Sequence, residues 1–264
     1  MLVELTGRAA VITGASKGLG LAMATEFAAS GADVAILARR SDVLEEAKAQ
    51  IARTARGRIV AIPCDVAKAA DCRAAYEAAT GAFGKVDILV NNAGTSRAMP
   101  FEQVTDEIWQ EDLDLKLFAA IRMTRLALPG MRERRWGRII NVLNIGAKAP
   151  RAGSAPTAVS RAAGMALTKV LANENAAHNV LVNALLVGQI VSDQWVRRHA
   201  AQGANTGANT SFEEFAAKLG TNIPLGRMGR AEEFAAMACF LCSDRAGFTT
   251  GTAINMDGGA SPVV

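Results

Sequence analysis

Six times along the chain an apolar run of the kind that forms a strand is followed by a helical, often Ala-rich stretch, and this alternation constrains the fold more than any other feature. "AAVITG" leads to "GLAMATEFAASG", "DVAILA" to "SDVLEEAKAQIAR", and "RIVAIPCDV" to "KAADCRAAYEAATGAFG". "VDILVNNAG" leads to a longer stretch that ends in "TRLALPGM", "RIINVLN" to "SRAAGMALTKVLANENA", and "VLVNALLVG" to a further segment, while "TAINMDGG" reads as a seventh strand. Strands apolar on both faces and separated by helices predict an α/β, doubly wound parallel sheet of the Rossmann type. The 264 residues suit a single domain over 1–264.

One region breaks the rhythm. Between Gly188 and Pro224 stand two short apolar-faced helical pieces around a Gly/Asn/Thr-rich turn. An excursion this long after a strand reads as a lid at about 189–223 over a site at the sheet edge. Trp195 is the aromatic on it expected to touch substrate, while Trp109 and Trp136 are expected to pack.

Composition excludes several classes. Half the residues are hydrophobic and 20% are charged, as in an ordinary globule. The net charge of +4 is spread thinly and aromatics make up only 5%, so a nucleic-acid partner is not expected. No apolar run approaches a membrane span. No secretory pattern precedes the first strand, and four cysteines, Cys64, Cys72, Cys239 and Cys242, give the expectation of a reducing, cytoplasmic setting. Cys239 and Cys242 lie inside the apolar helical run "FAAMACFLC" and read as buried small hydrophobes rather than a redox pair. His178 and His199 lack ligand company, so no metal is expected. Ser154 and Ser160 have no neighbouring base for a nucleophilic role.

The cofactor signal is the turn after the first strand. "VITGASKGLGLAMA" places Gly14, Gly18 and Gly20 between a strand and a helix. Glycines there allow a tight turn and bring a pyrophosphate close to the backbone N–H groups of a helix N-terminus. At the end of the second strand an acid would hold the 2′-hydroxyl of NAD. The chain has Ala38, Arg39 and Arg40 instead, with Asp42 only in the following turn. Guanidinium groups suit a 2′-phosphate, as does Lys17, so NADP(H) is favoured over NAD(H); the alternative is that both arginines only decorate a surface turn.

Taken together, "TGASKGLG" (13–20), "CDV" (64–66), "NNAG" (91–94), "GRIINV" (137–142), "IPLGRMGRAEE" (223–233) and "TGTAINMDGG" (250–259) give the chain a close resemblance to the short-chain dehydrogenase/reductase family over nearly its full length. The resemblance implies seven parallel strands and hydride transfer between a nicotinamide and a carbonyl or alcohol of a small-molecule substrate. It implies cofactor contacts from Ser16, Lys17 and Leu19 in the glycine turn, and from Asp65 and Val66 near the adenine. It adds Asn91 to Gly94, including Ala93, on the ribose side, and Arg161, Gly188 and Ile190 further along. It also implies a homo-oligomer, tetramer or dimer, built partly from the helix near Ala231 and the strand near Ile254.

The family's proton-handling set is replaced at every position. "TAVSRAA" puts Thr157 where the family has its tyrosine and Arg161 where it has its lysine. Asn144, thirteen residues before Thr157, replaces the serine, and Lys116 in "LDLKLF" replaces the asparagine. The single tyrosine, Tyr76, lies in a helix after the third strand and is expected to be remote; Val187 precedes Gly188 where the family usually has proline. A threonine hydroxyl is a far weaker acid than a phenol and arginine stays protonated, so Thr157 is not expected to act as the general acid. Arg161 suits the nicotinamide ribose or a carboxylate, and with Lys116 and Arg151 a substrate bearing negative charge. Asn144 suits a carbonyl oxygen. If Lys116 reaches the pocket near Arg161, burial and repulsion lower its pKa and make it a candidate acid; otherwise it points to solvent or pairs with Asp114 or another acid.

General acid–base catalysis contributes about 10²–10⁴-fold, roughly 3–5 kcal/mol, whereas alignment of reactants contributes roughly 7–11 kcal/mol. Loss of the phenol therefore leaves an enzyme conceivable. The leading expectation is an NADP(H)-dependent oxidoreductase with an atypical proton-transfer set. The alternatives are a non-catalytic NADP(H)-binding sensor or silent subunit, and a different reaction such as elimination or isomerisation on the same fold.

Overall fold

The computed structural model describes residues 3–206 and 210–264. Seven strands form one parallel sheet: β1 (Ala9–Thr13), β2 (Asp33–Ala38), β3 (Ile59–Pro63), β4 (Ile88–Asn91), β6 (Gly137–Asn144), β8 (Val180–Val187) and β9 (Ala253–Met256), in the order β3-β2-β1-β4-β6-β8-β9. The two-residue strands β5 (Ala98–Met99) and β7 (Ala155–Pro156) form a separate antiparallel pair. The helices are α1 (Gly18–Ala29), α2 (Ser41–Ile51), α3 (Ala69–Phe83), α4 (Asp106–Leu113), α5 (Ala119–Glu133), α6 (Thr157–Asn175), α7 (Asp193–Thr206), α8 (Phe212–Gly220) and α9 (Ala231–Cys242). The predicted sheet and its seventh strand are present.

Sequence period and layering agree. Along β1, Ala10 and Ile12 pack into the layer that holds Phe27, Leu44 and Phe234, while Val11 between them packs with Ala75, Met123 and Leu171 on the other face. All five β1 residues are buried, as a strand covered on both sides must be. Each fully buried Ile or Leu contributes roughly 1.5–3 kcal/mol by leaving water, which sets the sheet as the rigid base of the molecule.

The strand order reverses direction between β1 and β4, so the ends of these two strands diverge and leave a crevice. The excursion after β8 forms α7 and α8, which meet through an aromatic cluster. Trp195 and Phe215 lie 6.3 Å apart, His199 and Phe215 5.1 Å. Residues 207–209 of the predicted lid lie outside the described residues. The four cysteines are free and buried, and burial raises the Cys239 thiol to about 11. No helix among the described residues is long and apolar enough to cross a membrane. No group of three or more His, Cys, Asp or Glu side chains there could hold a metal ion.

Candidate functional site

The glycine turn is held by the end of β4. Thr13 Oγ1 accepts the backbone N–H groups of Asn92 at 2.9 Å and Ala93 at 3.0 Å, and Asn92 Nδ2 donates to the carbonyls of Thr13 and Gly14 at 2.9 and 3.1 Å. A Cβ at Gly20 would collide with the Gly14 carbonyl and stand 2.6 Å from Asn92 Nδ2, so only glycine lets α1 start this close to the turn. The N-terminus of α1 has no side-chain cap and no acid in its first turn. Its free N–H groups and positive dipole end open onto the crevice, as an anion requires.

The crevice has two contiguous halves. The larger, about 640 Å³, is lined by Gly14, Ser16, Lys17, Arg39, Arg40, Asp65, Val66, Ala93 and Gly94, with Leu115 and Arg197. The strand β2 ends on Ala38 and is followed by Arg39 and Arg40 rather than an acid; Arg40 pairs with the exposed Asp42 at 3.3 Å. The smaller half, about 250 Å³, shares Gly14, Ser16, Lys17 and Gly94 with the larger, adds Gly18, Leu19 and Gly20, and is closed by Asn144, Thr157, Arg161, Val187 and the start of α7. From α7, Asp193 stands 3.9 Å from Lys17 and 3.2 Å from Arg197, tying the excursion to the glycine turn.

Three residues assigned to the cofactor by resemblance line neither half of the crevice. Asn91 is buried, and its Nδ2 donates to Asn141 Oδ1 at 2.9 Å. Asn141 in turn donates to Thr168 Oγ1, so this ladder fixes α6 to β4 and β6. Gly188 packs against Asp257, and Ile190 is buried beside Gly229. Trp195 does not line the crevice; it stacks within the excursion and under Arg198, and Ser192, Asp193, Gln194 and Arg197 face the space. Arg151 is exposed and away from both halves. Tyr76 packs beside the α3 and α5 core, remote as expected.

The four substituted positions converge. Gly164 lets α6 lie against Leu143 of β6, which brings Thr157 and Arg161 to the end of that strand beside Asn144. Arg161 Nη1 donates to the Val142 carbonyl at 2.6 Å, while its Nε is buried without a partner, as is Asn144 Oδ1. Burial lowers the Arg161 guanidinium to about 10, against the pull of Asp112. These unsatisfied atoms at the crevice wall, with the uncapped helix above them, fit a ligand that carries both phosphates and hydroxyl or carbonyl groups.

Lys116 does not point to solvent; it pairs with another acid, Asp112, rather than with Asp114. The segment Asp114–Phe118 is a π-helical turn. Asp114 faces outward to Arg122 at 2.7 Å, and Lys116 turns in, its side chain 1% exposed, to pair with Asp112. Its Nζ also donates to Thr157 Oγ1 at 2.8 Å. Burial lowers its pKa to about 8, with Arg161 and Arg97 adding repulsion and Asp112 opposing both. Lys116 does not itself line the crevice; Thr157 stands between.

The chain belongs to the short-chain dehydrogenase/reductase family and is an oxidoreductase of that family. A family model described as enoyl-(acyl carrier protein) reductase matches residues 14–261. L-sorbose reductase from Gluconobacter frateurii, solved with NADPH and L-sorbose, is 34% identical, covers 100% of both chains and superposes with a TM-score of 0.95. A short-chain oxidoreductase from Pseudomonas aeruginosa, solved with NADPH and described as containing an atypical catalytic center, is 37% identical over 99% of each chain, with a TM-score of 0.90. The acetoacetyl-CoA reductase of Rhizobium meliloti is 34% identical over 252 residues, 96% of this chain and 98% of that one.

Proposed function

We propose that the chain reduces a carbonyl compound with NADPH in preference to NADH, and that α7 and α8 form a lid over the reacting pair. The observation that carries this reading is the continuous crevice. One half offers an uncapped helix N-terminus with Lys17, Arg39 and Arg40; the other offers Asn144, Thr157 and Arg161. The bound dihydronicotinamide would supply hydride to the carbonyl carbon. The chain's own residues do the rest. Arg39 and Arg40 hold the 2′-phosphate, and the N–H groups of α1 hold the pyrophosphate. Arg161 steadies the ribose side and faces the oxygen that gains negative charge, and Asn144 donates its amide N–H to that oxygen. The NADPH found with the sorbose and Pseudomonas relatives supports the cofactor preference.

The outer strand β9 has only β8 as a neighbour and is half-exposed. With α9 it is the surface through which copies of the chain would pair.

The reading is tested by titrating NADPH and NADH against protein fluorescence and following NADPH consumption over ketoacyl esters, keto sugars and diketones. The expected result is at least about tenfold tighter binding of NADPH, which is about 1.4 kcal/mol, with turnover on one of these classes. Equal binding of the two nucleotides overturns the preference, and binding without turnover on any class overturns the activity.

A further inference from the structure

The side chains around Lys116 form one connected chain of hydrogen bonds that reaches the crevice at a single point. Ser160 Oγ donates to Asp112 Oδ2 at 2.6 Å, Asp112 Oδ1 accepts from Lys116 Nζ, and Nζ donates again to Thr157 Oγ1 at 2.8 Å. Thr157 Oγ1 also accepts the backbone N–H of Arg97 at 3.0 Å and donates to the Arg97 carbonyl at 2.9 Å. The Asp112 and Lys116 side chains are 2% and 1% exposed. An ion pair buried this deeply adds little to stability compared with apolar residues of the same size, so packing does not account for it.

The charged groups facing Lys116 are Asp112 from α4, Arg161 from α6 and Arg97 from the segment before β5. Two cations and one anion, in a site shut off from water, leave its ammonium easier to deprotonate than a surface lysine. Both acceptor positions of Thr157 Oγ1 are filled, by Lys116 and by the Arg97 N–H. Only its hydrogen is free to swing, from the Arg97 carbonyl to an oxygen in the crevice.

We propose that Lys116 is the proton source of the reduction and that Thr157 passes the proton from it to the substrate oxygen. The proposal rests on the carbonyl-reductase reading above. As hydride from the nicotinamide nucleotide bonds to the carbonyl carbon, the C=O π pair moves onto oxygen. The Thr157 O–H bond breaks and the substrate O–H bond forms. At the same time a Lys116 N–H bond breaks and the Thr157 O–H bond is restored, leaving a neutral lysine beside Asp112. The weak acidity of threonine does not limit this step, because Thr157 gains a proton as it loses one. When product has left, water in the crevice returns a proton to Lys116 through the same hydroxyl. Thr157 is the catalytic residue that touches substrate, and Lys116 and Asp112 act through it.

The test combines a pH profile, a binding measurement and a titration that needs no cofactor. Wild-type turnover at saturating NADPH is expected to fall about tenfold per pH unit above about 8, where Lys116 loses its proton. Thr157→Val is expected to lower turnover by about 10²–10⁴-fold with NADPH affinity unchanged, and Thr157→Ser to restore it to within about tenfold of wild type. Lys116→Met is paired with Asp112→Asn so that no buried charge is stranded. The double variant is expected to lose activity to the same extent and to show no break near pH 8. In the protein alone, NMR of lysine labelled at Cε is expected to show one resonance, absent from the double variant, that titrates near 8 and moves lower in Asp112→Asn. Wild-type turnover that survives Thr157→Val, or a Lys116 resonance that titrates like a surface lysine, overturns the proposal alone. NADPH binding with no turnover in wild type overturns the reductase reading and the proposal with it.

Discussion

Arg161 Nη2 stands 2.5 Å from the position a Cβ would take on Gly94, while Nη1 of the same guanidinium donates to the Val142 carbonyl at 2.6 Å. Glycine at 94 therefore sets how far the guanidinium advances into the crevice. The atom that would have to move is the far end of a flexible side chain, so Gly94→Ala is expected to leave the melting temperature nearly unchanged. A displacement on the order of 1 Å at the reacting centre costs about 10²-fold in rate. Turnover of Gly94→Ala is accordingly expected to drop about 10–100-fold, checked by steady-state kinetics beside a thermal melt.

Gly20→Ala is expected to behave in the opposite way. Its Cβ would meet the Gly14 carbonyl, Ala15 Cα at 2.8 Å and Asn92 Nδ2 at 2.6 Å, which are backbone or fixed by hydrogen bonds. Forcing an atom into such a space costs about 1–3 kcal/mol. The helix start that would hold pyrophosphate has to move as well. Calorimetry should show a lower Tm, and fluorescence titration a loss of NADPH binding.

The two arginines after β2 are expected to contribute unequally. Arg40 is paired with Asp42 and its side chain is 70% exposed, whereas Arg39 has no ion pair among the described residues. Arg39→Ala is expected to weaken NADPH binding about tenfold and Arg40→Ala by less, with NADH binding unchanged in both. Titrations of both nucleotides at low and high salt check this, and the gap between them should narrow as salt rises.

Stability and activity are expected to move in opposite directions above neutral pH. The folded pKa of Lys116, about 8, lies below its ordinary value of 10.5. Between these values the unfolded chain binds more protons than the folded one, so the contribution of Lys116 to stability rises with pH across that window. At full deprotonation the gain is on the order of 3 kcal/mol. Urea unfolding of wild type and of the Lys116→Met, Asp112→Asn double variant between pH 7.5 and 10 should show the difference growing with pH, while wild-type turnover falls.

Much of this molecule was legible in the chain itself. The strand and helix rhythm fixed the sheet, because strands buried on both faces carry an unbroken apolar signal. The replacement of Tyr, Lys, Ser and Asn by Thr157, Arg161, Asn144 and Lys116 was readable by register. What the sequence hid were directions. The π-helical turn sends Lys116 inward and Asp114 outward, although i,i+4 spacing already pairs Lys116 with Asp112 rather than with a residue two positions away. Ser160 and Arg97 joined the network only when α6 and the segment before β5 were brought together in space. An aromatic on an excursion stands out in the sequence and suggests substrate contact for Trp195, yet Phe212, Phe215 and His199 supply it a cluster of its own. The resemblance places Asn91 and Ile190 at the crevice, but alternation along the strand buries the Asn91 side chain against Asn141, and the bridge to Gly229 buries Ile190.

On the proposed function, hydride reaches a carbonyl carbon in this crevice without a tyrosine. Its most direct test uses NADPH deuterated at C4 and mass spectrometry of the alcohol formed from each carbonyl class. Deuterium is expected on the carbinol carbon of a product, in wild type and at a lower rate in Thr157→Val. A protein that binds the deuterated NADPH tightly yet transfers no deuterium to any carbonyl would contradict it.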